Sequence, residues 1–217
     1  MKEYEEAKQM TNKEEVQDKR HLRSIKTKQK LLQAAREIFL TVGFQNATIS
    51  QIIKKAEVGY GTAYVHFSGK EEILIVLMDH VMEKFYQIAE VSFSPNSKEE
   101  ARDIILSQAM DFLKMAETER NMLQLFEQAI GTSPSIQAKW NAIREKFIQR
   151  ISEDIAYAQK YGLAKTELNH KLVARGWFYT NEMYLWEIVR NEQQGTVEEI
   201  AKTITAVYTG GLYQTNE

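Results

Sequence analysis

Only two prolines, Pro95 and Pro134, and ten glycines interrupt this chain of 217 residues. Proline removes a backbone donor and blocks a helix interior, and glycine there costs about 1 kcal/mol relative to alanine. Long stretches are therefore free to be helical, and no alternating apolar–polar run competes with the three- and four-residue apolar spacing. The sequence predicts an all-α fold of about nine helices. Apolar residues make up 43% of the chain, enough to bury a sizeable core. There is no cysteine, which excludes disulfides and thiolate metal sites and gives no sign of secretion. No apolar run approaches membrane-spanning length, and the first two dozen residues are mostly charged, so a cytoplasmic protein is expected.

The net charge of −2 hides an asymmetry. From Lys19 to Lys70 ten basic residues face two acids, Glu37 and Glu57. A basic front end on an acidic body suggests a polyanionic partner for the front. Residues 1–24 are rich in Lys, Glu and Gln with no apolar face, and are expected to form a mobile charged arm.

The first strong helix is predicted from Ile25 to Val42, with Leu31, Leu32, Ala35, Ile38, Phe39 and Val42 in one stripe and Gly43 at its C-cap. Thr48 suits the N-cap of a short helix over Ile49–Ala56. A tight connection, Glu57-Val58-Gly59, leads to a second short helix over Tyr60–His66. Two short helices joined by a brief turn containing glycine are the signature of a helix-turn-helix. Neither is stable alone, so both must pack on the first helix and on the start of a long one, Lys70–Val91. Residues 25–72 are thus expected to form a three-helix DNA-binding domain and residues 73–217 a larger helical domain. Within the latter, helices are predicted near Lys98–Glu117, Glu119–Ile130, Ser135–Tyr161, Glu167–Asn191 and Val197–Leu212.

The run from Ile25 to Leu74 resembles the DNA-binding domain of the TetR family of bacterial regulators. The resemblance rests on Gly43-Phe44, Ala47-Thr48-Ile49, Ile52 to Val58, and above all the stretch Gly59-Tyr60-Gly61-Thr62-Ala63-Tyr64-Val65-His66-Phe67-Ser68-Gly69-Lys70-Glu71-Glu72-Ile73-Leu74. The expectations are a sequence-specific transcriptional repressor, a homodimer on a palindromic operator, and release by a small molecule. A recognition helix needs small or polar groups on its outer face to enter the major groove, and Gly59, Gly61 and Thr62 supply them. The alternative is that these glycines merely shape the turn. Tyr60 and Thr62 are candidates for base edges. By resemblance, Tyr64, His66 and Lys70 hold phosphates, the last beside a positive helix terminus. Thr48 and Ser50 are further phosphate candidates, with capping the competing role for Thr48, and Lys26 and Lys28 could reach the adjacent backbone. The chain departs from the family's usual residues at Gly59, Ala63 and Val65.

The resemblance also implies that the last two helices build a four-helix bundle with a second subunit. Their many apolar positions, among them Leu172, Val173, Trp177, Met183, Leu185, Ile188, Val207 and Leu212, fit that role. Phe85, Phe112, Met115, Phe126, Trp140, Phe147, Trp177 and Tyr184 are candidates for lining an apolar pocket, with ordinary core packing the alternative. They favour a hydrophobic or flat ligand. No cofactor or metal is expected. An enzyme is disfavoured: His21, His66, His80 and His170 fit no catalytic motif beyond a single Glu-x-x-His at Glu167–His170. A helical adaptor, or a protein that coats DNA without reading it, remains the rival reading.

Overall fold

The computed structural model describes residues 2–213, with side chains from Lys19 onward. Among the described residues nine helices account for the regular structure: α1 (Lys2–Asn46), α2 (Ile49–Ala56), α3 (Tyr60–His66), α4 (Lys70–Ala89), α5 (Lys98–Thr118), α6 (Arg120–Ile130), α7 (Pro134–Lys160), α8 (His170–Arg190) and α9 (Val197–Leu212). The chain divides into two compact units, Met1–Leu77 and Met78–Glu217, and α4 is continuous through the division. No helix of the described residues is long and apolar enough to cross a membrane.

The segment 1–24 is expected from the sequence as a mobile arm or frayed helix. From Lys2 onward it is the N-terminal part of α1, and Met1 lies outside the described residues. Residues 2–24 contain neither glycine nor proline, so nothing interrupts the helix before Gly43 (φ 76°). In the first unit α1 packs against α2 and α3, and Leu31, Leu32, Ala35 and Phe39 of α1 are buried, as are Ile52, Ile53 and Ala56 of α2, Ala63 of α3, and Ile73 and Leu74 of α4. Burying each such side chain stabilises the unit by about 1.5–3 kcal/mol relative to exposure. Thr48 closes a capping box on α2 with Gln51. Glu57 ends α2 in the left-handed conformation (φ 54°), its N–H returning to the carbonyls of Ile53 and Lys54.

In the second unit, α7 packs along α8, and α5 packs against both α8 and α9. Ser97, Ser133, Asn169 and Thr196 cap α5, α7, α8 and α9 through their side chains. Asn169 Oδ1 accepts from the N–H groups of Lys171 and Leu172, which places the start of α8 at His170 rather than at Glu167 as expected. His170 is held there by a 2.7 Å hydrogen bond between its Nδ1 and Ser152 Oγ.

Candidate nucleic-acid interface and ligand cavity

The short helix α3 buries one side only, through Ala63 and the following Phe67. Its other side is open: Gly61 and Thr62 are exposed, and Tyr60, Tyr64 and Val65 are 56%, 50% and 82% exposed. Val65 was not among the expected contacts. Its four-residue spacing from Gly61 puts both on one helical face, and that spacing is the signal that could have found it. Exposed apolar groups of this size suit thymine methyls.

The two glycines of this helix have no internal reason to be glycine. The left-handed residue of the turn is Glu57, whereas Gly59 has φ −68°, which any residue adopts. A Cβ built on Gly61 meets nothing within 4 Å, and one on Gly59 meets only Thr62 Oγ1 at 3.8 Å. The turn-shaping alternative therefore lacks structural support. A side chain at Gly61 would point into open space.

Other expected contacts are placed as follows. Ser50 is exposed at the start of α2, and His66 is half-buried at the end of α3. Thr48 Oγ1 accepts from Gln51 N at 3.2 Å, so its side chain already serves the cap. Lys26 is exposed; Lys28 is exposed too and stands 5.8 Å from the Phe67 ring centroid. Lys70 is held by the end of α1. Its Nζ donates to the carbonyls of Phe44 (2.8 Å), Gln45 (3.0 Å) and Ala47 (2.8 Å) and lies 4.7 Å from the Phe44 ring centroid. An ammonium has three donors, and all three are engaged in closing the end of α1. This geometry makes Lys70 a clasp between α1 and α4. Beside it, hydrogen bonds from the Ser68 N–H and hydroxyl hold the Glu72 carboxyl below its ordinary range.

The second unit contains a cavity of about 70 Å³ between α4, α5, α7 and α8. Phe85, Phe112, Phe147 and Trp177 line it, as does Phe178. The rings are in mutual contact: Phe85–Phe112 at 5.2 Å edge to face, Phe147–Phe178 at 5.7 Å stacked. The other candidates belong elsewhere. Phe126 is fully buried core, Met115 faces a separate shallow depression, and Tyr184 does not reach the cavity. Trp140 packs on Trp186 at 5.2 Å and donates its Nε1 hydrogen to Glu182 Oε1 at 2.8 Å. Helical spacing shows which face is buried but not against what, so core and cavity aromatics look alike in sequence.

Nor is the cavity wholly apolar. Gln108, Arg150, Asp154 and Asn181 also line it, and Arg150 Nη1 is paired with Asp154. Burial raises the Asp154 carboxyl to about 6, against the opposing pull of Arg150. A raised carboxyl pKa favours the folded state while the group is protonated. That contribution is present below the unfolded value near 4 and is lost as pH rises toward 6. Asp154→Asn should therefore raise stability at pH 7 by about 1–2 kcal/mol and leave it nearly unchanged at pH 4. Urea unfolding at both pH values checks this; equal effects at both would show that the carboxyl does not titrate in this range.

The all-helical fold and the exposed second helix of the helix-turn-helix define a class, the all-helical helix-turn-helix proteins. Residues 31–77 match the family described as bacterial regulatory proteins, tetR family. The chain is 27% identical over 137 residues to the HTH-type transcriptional regulator SrpR of Pseudomonas putida, covering 63% of this chain and 62% of SrpR, less than two thirds of that relative's length. Among solved structures it is similar to a TetR-family transcriptional regulator from Syntrophomonas wolfei (TM-score 0.69, 20% identity, 84% of this chain and 92% of the other). It is also similar to SmeT in a complex with triclosan (TM-score 0.68, 16% identity, 87% and 92%). The family match covers residues 31–77, so the helix-turn-helix unit is similar to the DNA-binding domain of TetR-family proteins.

Proposed function

We propose that this regulator is a repressor: a homodimer that reads a palindromic operator with two α3 helices and lets it go when a small, largely apolar molecule enters the cavity. The observation that carries the reading is the outer face of α3, where Gly61 leaves open space that nothing in the protein fills. Dimerisation is supported by apolar side chains left uncovered on the last two helices. Leu172, Tyr179 and Met183 on α8 are 70%, 41% and 49% exposed, and Val207 on α9 is 74% exposed. Their four-, seven- and eleven-residue offsets along α8 form one stripe, too large to leave in water. Several positions expected at this interface, including Leu185, Ile188 and Leu212, are instead core of the protomer.

Ligand control is supported by the cavity walls and by the triclosan held by SmeT, a protein of similar fold. At about 70 Å³ the cavity is far below the ~300 Å³ that a ligand pocket ordinarily offers, so a ligand of ordinary size has to widen it. A ligand in this cavity touches Phe85, Ile88 or Ala89 at the C-terminal end of α4. The same continuous helix begins with Lys70, the clasp of the DNA-binding unit. A ligand shifts operator affinity only by its difference in affinity for the open and closed forms.

The test is selection of bound sequences from a random duplex library at near-physiological salt. Enrichment of an inverted repeat, with half-sites about one helical turn (~34 Å) apart, is the expected result. Binding without enrichment would overturn the operator reading in favour of a protein that coats DNA.

A further inference from the structure

The basic charge of the front unit is concentrated before Gly43. It lies on α1, on the N-terminal side of the buried stripe that begins at Leu31. Lys19, Arg20, Arg23, Lys26, Lys28 and Lys30 are all exposed, and no acidic residue occurs between Asp18 and Glu37. Lys19, Arg23, Lys26 and Lys30 follow each other by four, three and four residues, which places them within one narrow stripe of the helix. At 1.5 Å per residue that stripe is ~16 Å long. Lys26 and Lys30 border a shallow surface groove whose other wall is Lys55 and Glu57, the end of α2 and the turn that leads into α3. Lys55 is itself paired with Glu37 at 2.8 Å, so the cationic character of this edge comes from α1.

We infer that this stripe of α1 is a phosphate rail, which grips the DNA backbone flanking the base pairs read by α3. The inference rests on the operator reading above and adds a contact outside the helix-turn-helix. Charge complementarity selects the occupant. DNA presents one negative charge per ~1.7 Å of its axis, so a ~16 Å row of cations faces several phosphates at once. An anionic lipid surface would need a broad apolar face beside the charges, and over residues 19–30 only Leu22 and Ile25 are large and apolar.

The test compares wild type with the triple variant Arg23→Gln, Lys26→Gln, Lys30→Gln, using the full chain and the selected operator. Glutamine is nearly as good a helix former as lysine or arginine, so α1 is retained. A charge-preserving variant, Arg23→Lys, serves as control. Affinity is measured against salt on two duplexes, the operator alone and the operator extended by about one helical turn at each end. On the long duplex, the slope of log K against log salt should become shallower by about 2.7 for the triple variant and remain unchanged for the control. On the long duplex wild type should bind more tightly than on the short one, and the variant should lose that difference. The enriched sequence should be the same for both proteins. An unchanged slope on the long duplex would overturn the rail, and so would an unchanged slope accompanied by lost retention on phosphatidylserine vesicles. If wild type enriched no sequence but kept a slope that the triple variant lost, the rail would stand and the operator reading would fall.

Discussion

Gly61→Ala should cost the protein most of its operator affinity while leaving its fold intact or more stable. The added methyl meets no protein atom within 4 Å, so nothing inside the first unit has to move. Alanine is the better helix former by up to about 1 kcal/mol, and thermal unfolding should show no loss and a small gain. If α3 lies against base edges, the same methyl is forced into a packed interface, where an extra carbon typically costs about 1–3 kcal/mol. That corresponds to roughly a 5- to 150-fold weaker complex. The opposite signs are the point of the experiment. Unaltered affinity with raised stability would mean that α3 does not approach DNA closely. A loss of stability would mean that the open space seen at Gly61 is filled in solution.

The second large effect is expected far from DNA, at Glu182. This carboxylate is only 4% exposed and accepts from Trp140 Nε1 and Arg144 Nε, both at 2.8 Å. It ties α8 to α7 beneath the face that carries Tyr179 and Met183. Replacing it with alanine strands two donors. Arg144, 27% exposed, can turn toward water, whereas Trp140, 3% exposed, cannot. Breaking a buried pair of this kind costs about 3–5 kcal/mol. The escape open to Arg144 favours the lower end, a fall in Tm of roughly 6–12 °C for a chain of this size. Glu182→Gln keeps an oxygen for the indole and should lose less than half as much. Thermal unfolding of the two variants side by side decides the matter; equal losses would show that charge, not the indole hydrogen bond, holds the helices together.

The helix-turn-helix was largely legible in the sequence because its punctuation is chemical. Thr48 with Gln51 is a capping box, and the turn at Glu57 separates two apolar patterns. The N-terminal extent of α1 was not legible. A charged segment with no apolar face gives no period to read, and only the absence of glycine and proline hinted at a helix. Lys70 shows a different limit. A lysine at a helix start suggests an anion, and only the fold brings the carbonyls of Phe44, Gln45 and Ala47 within reach. In the cavity, Phe112 and Phe126 are alike in sequence, and what separates them is which neighbour each meets. The polar lining had a signal that could have been read: Arg150 and Asp154, one turn apart, sit on the same side of α7 as Phe147 and Ile151.

The clasp at Lys70 has a genetic corollary. In a screen for loss of repression, substitutions at Lys70 and at Gly61 should both be recovered, but they should differ in dominance. Without its ammonium, three carbonyls at the end of α1 lose their donor, so a Lys70 variant yields a poorly folded product that the cell degrades, and one wild-type copy masks it. A Gly61 variant is a well-folded subunit with a blocked reading surface. If the protein acts as a pair, such a subunit captures wild-type partners in inactive mixed dimers and overrides the intact copy.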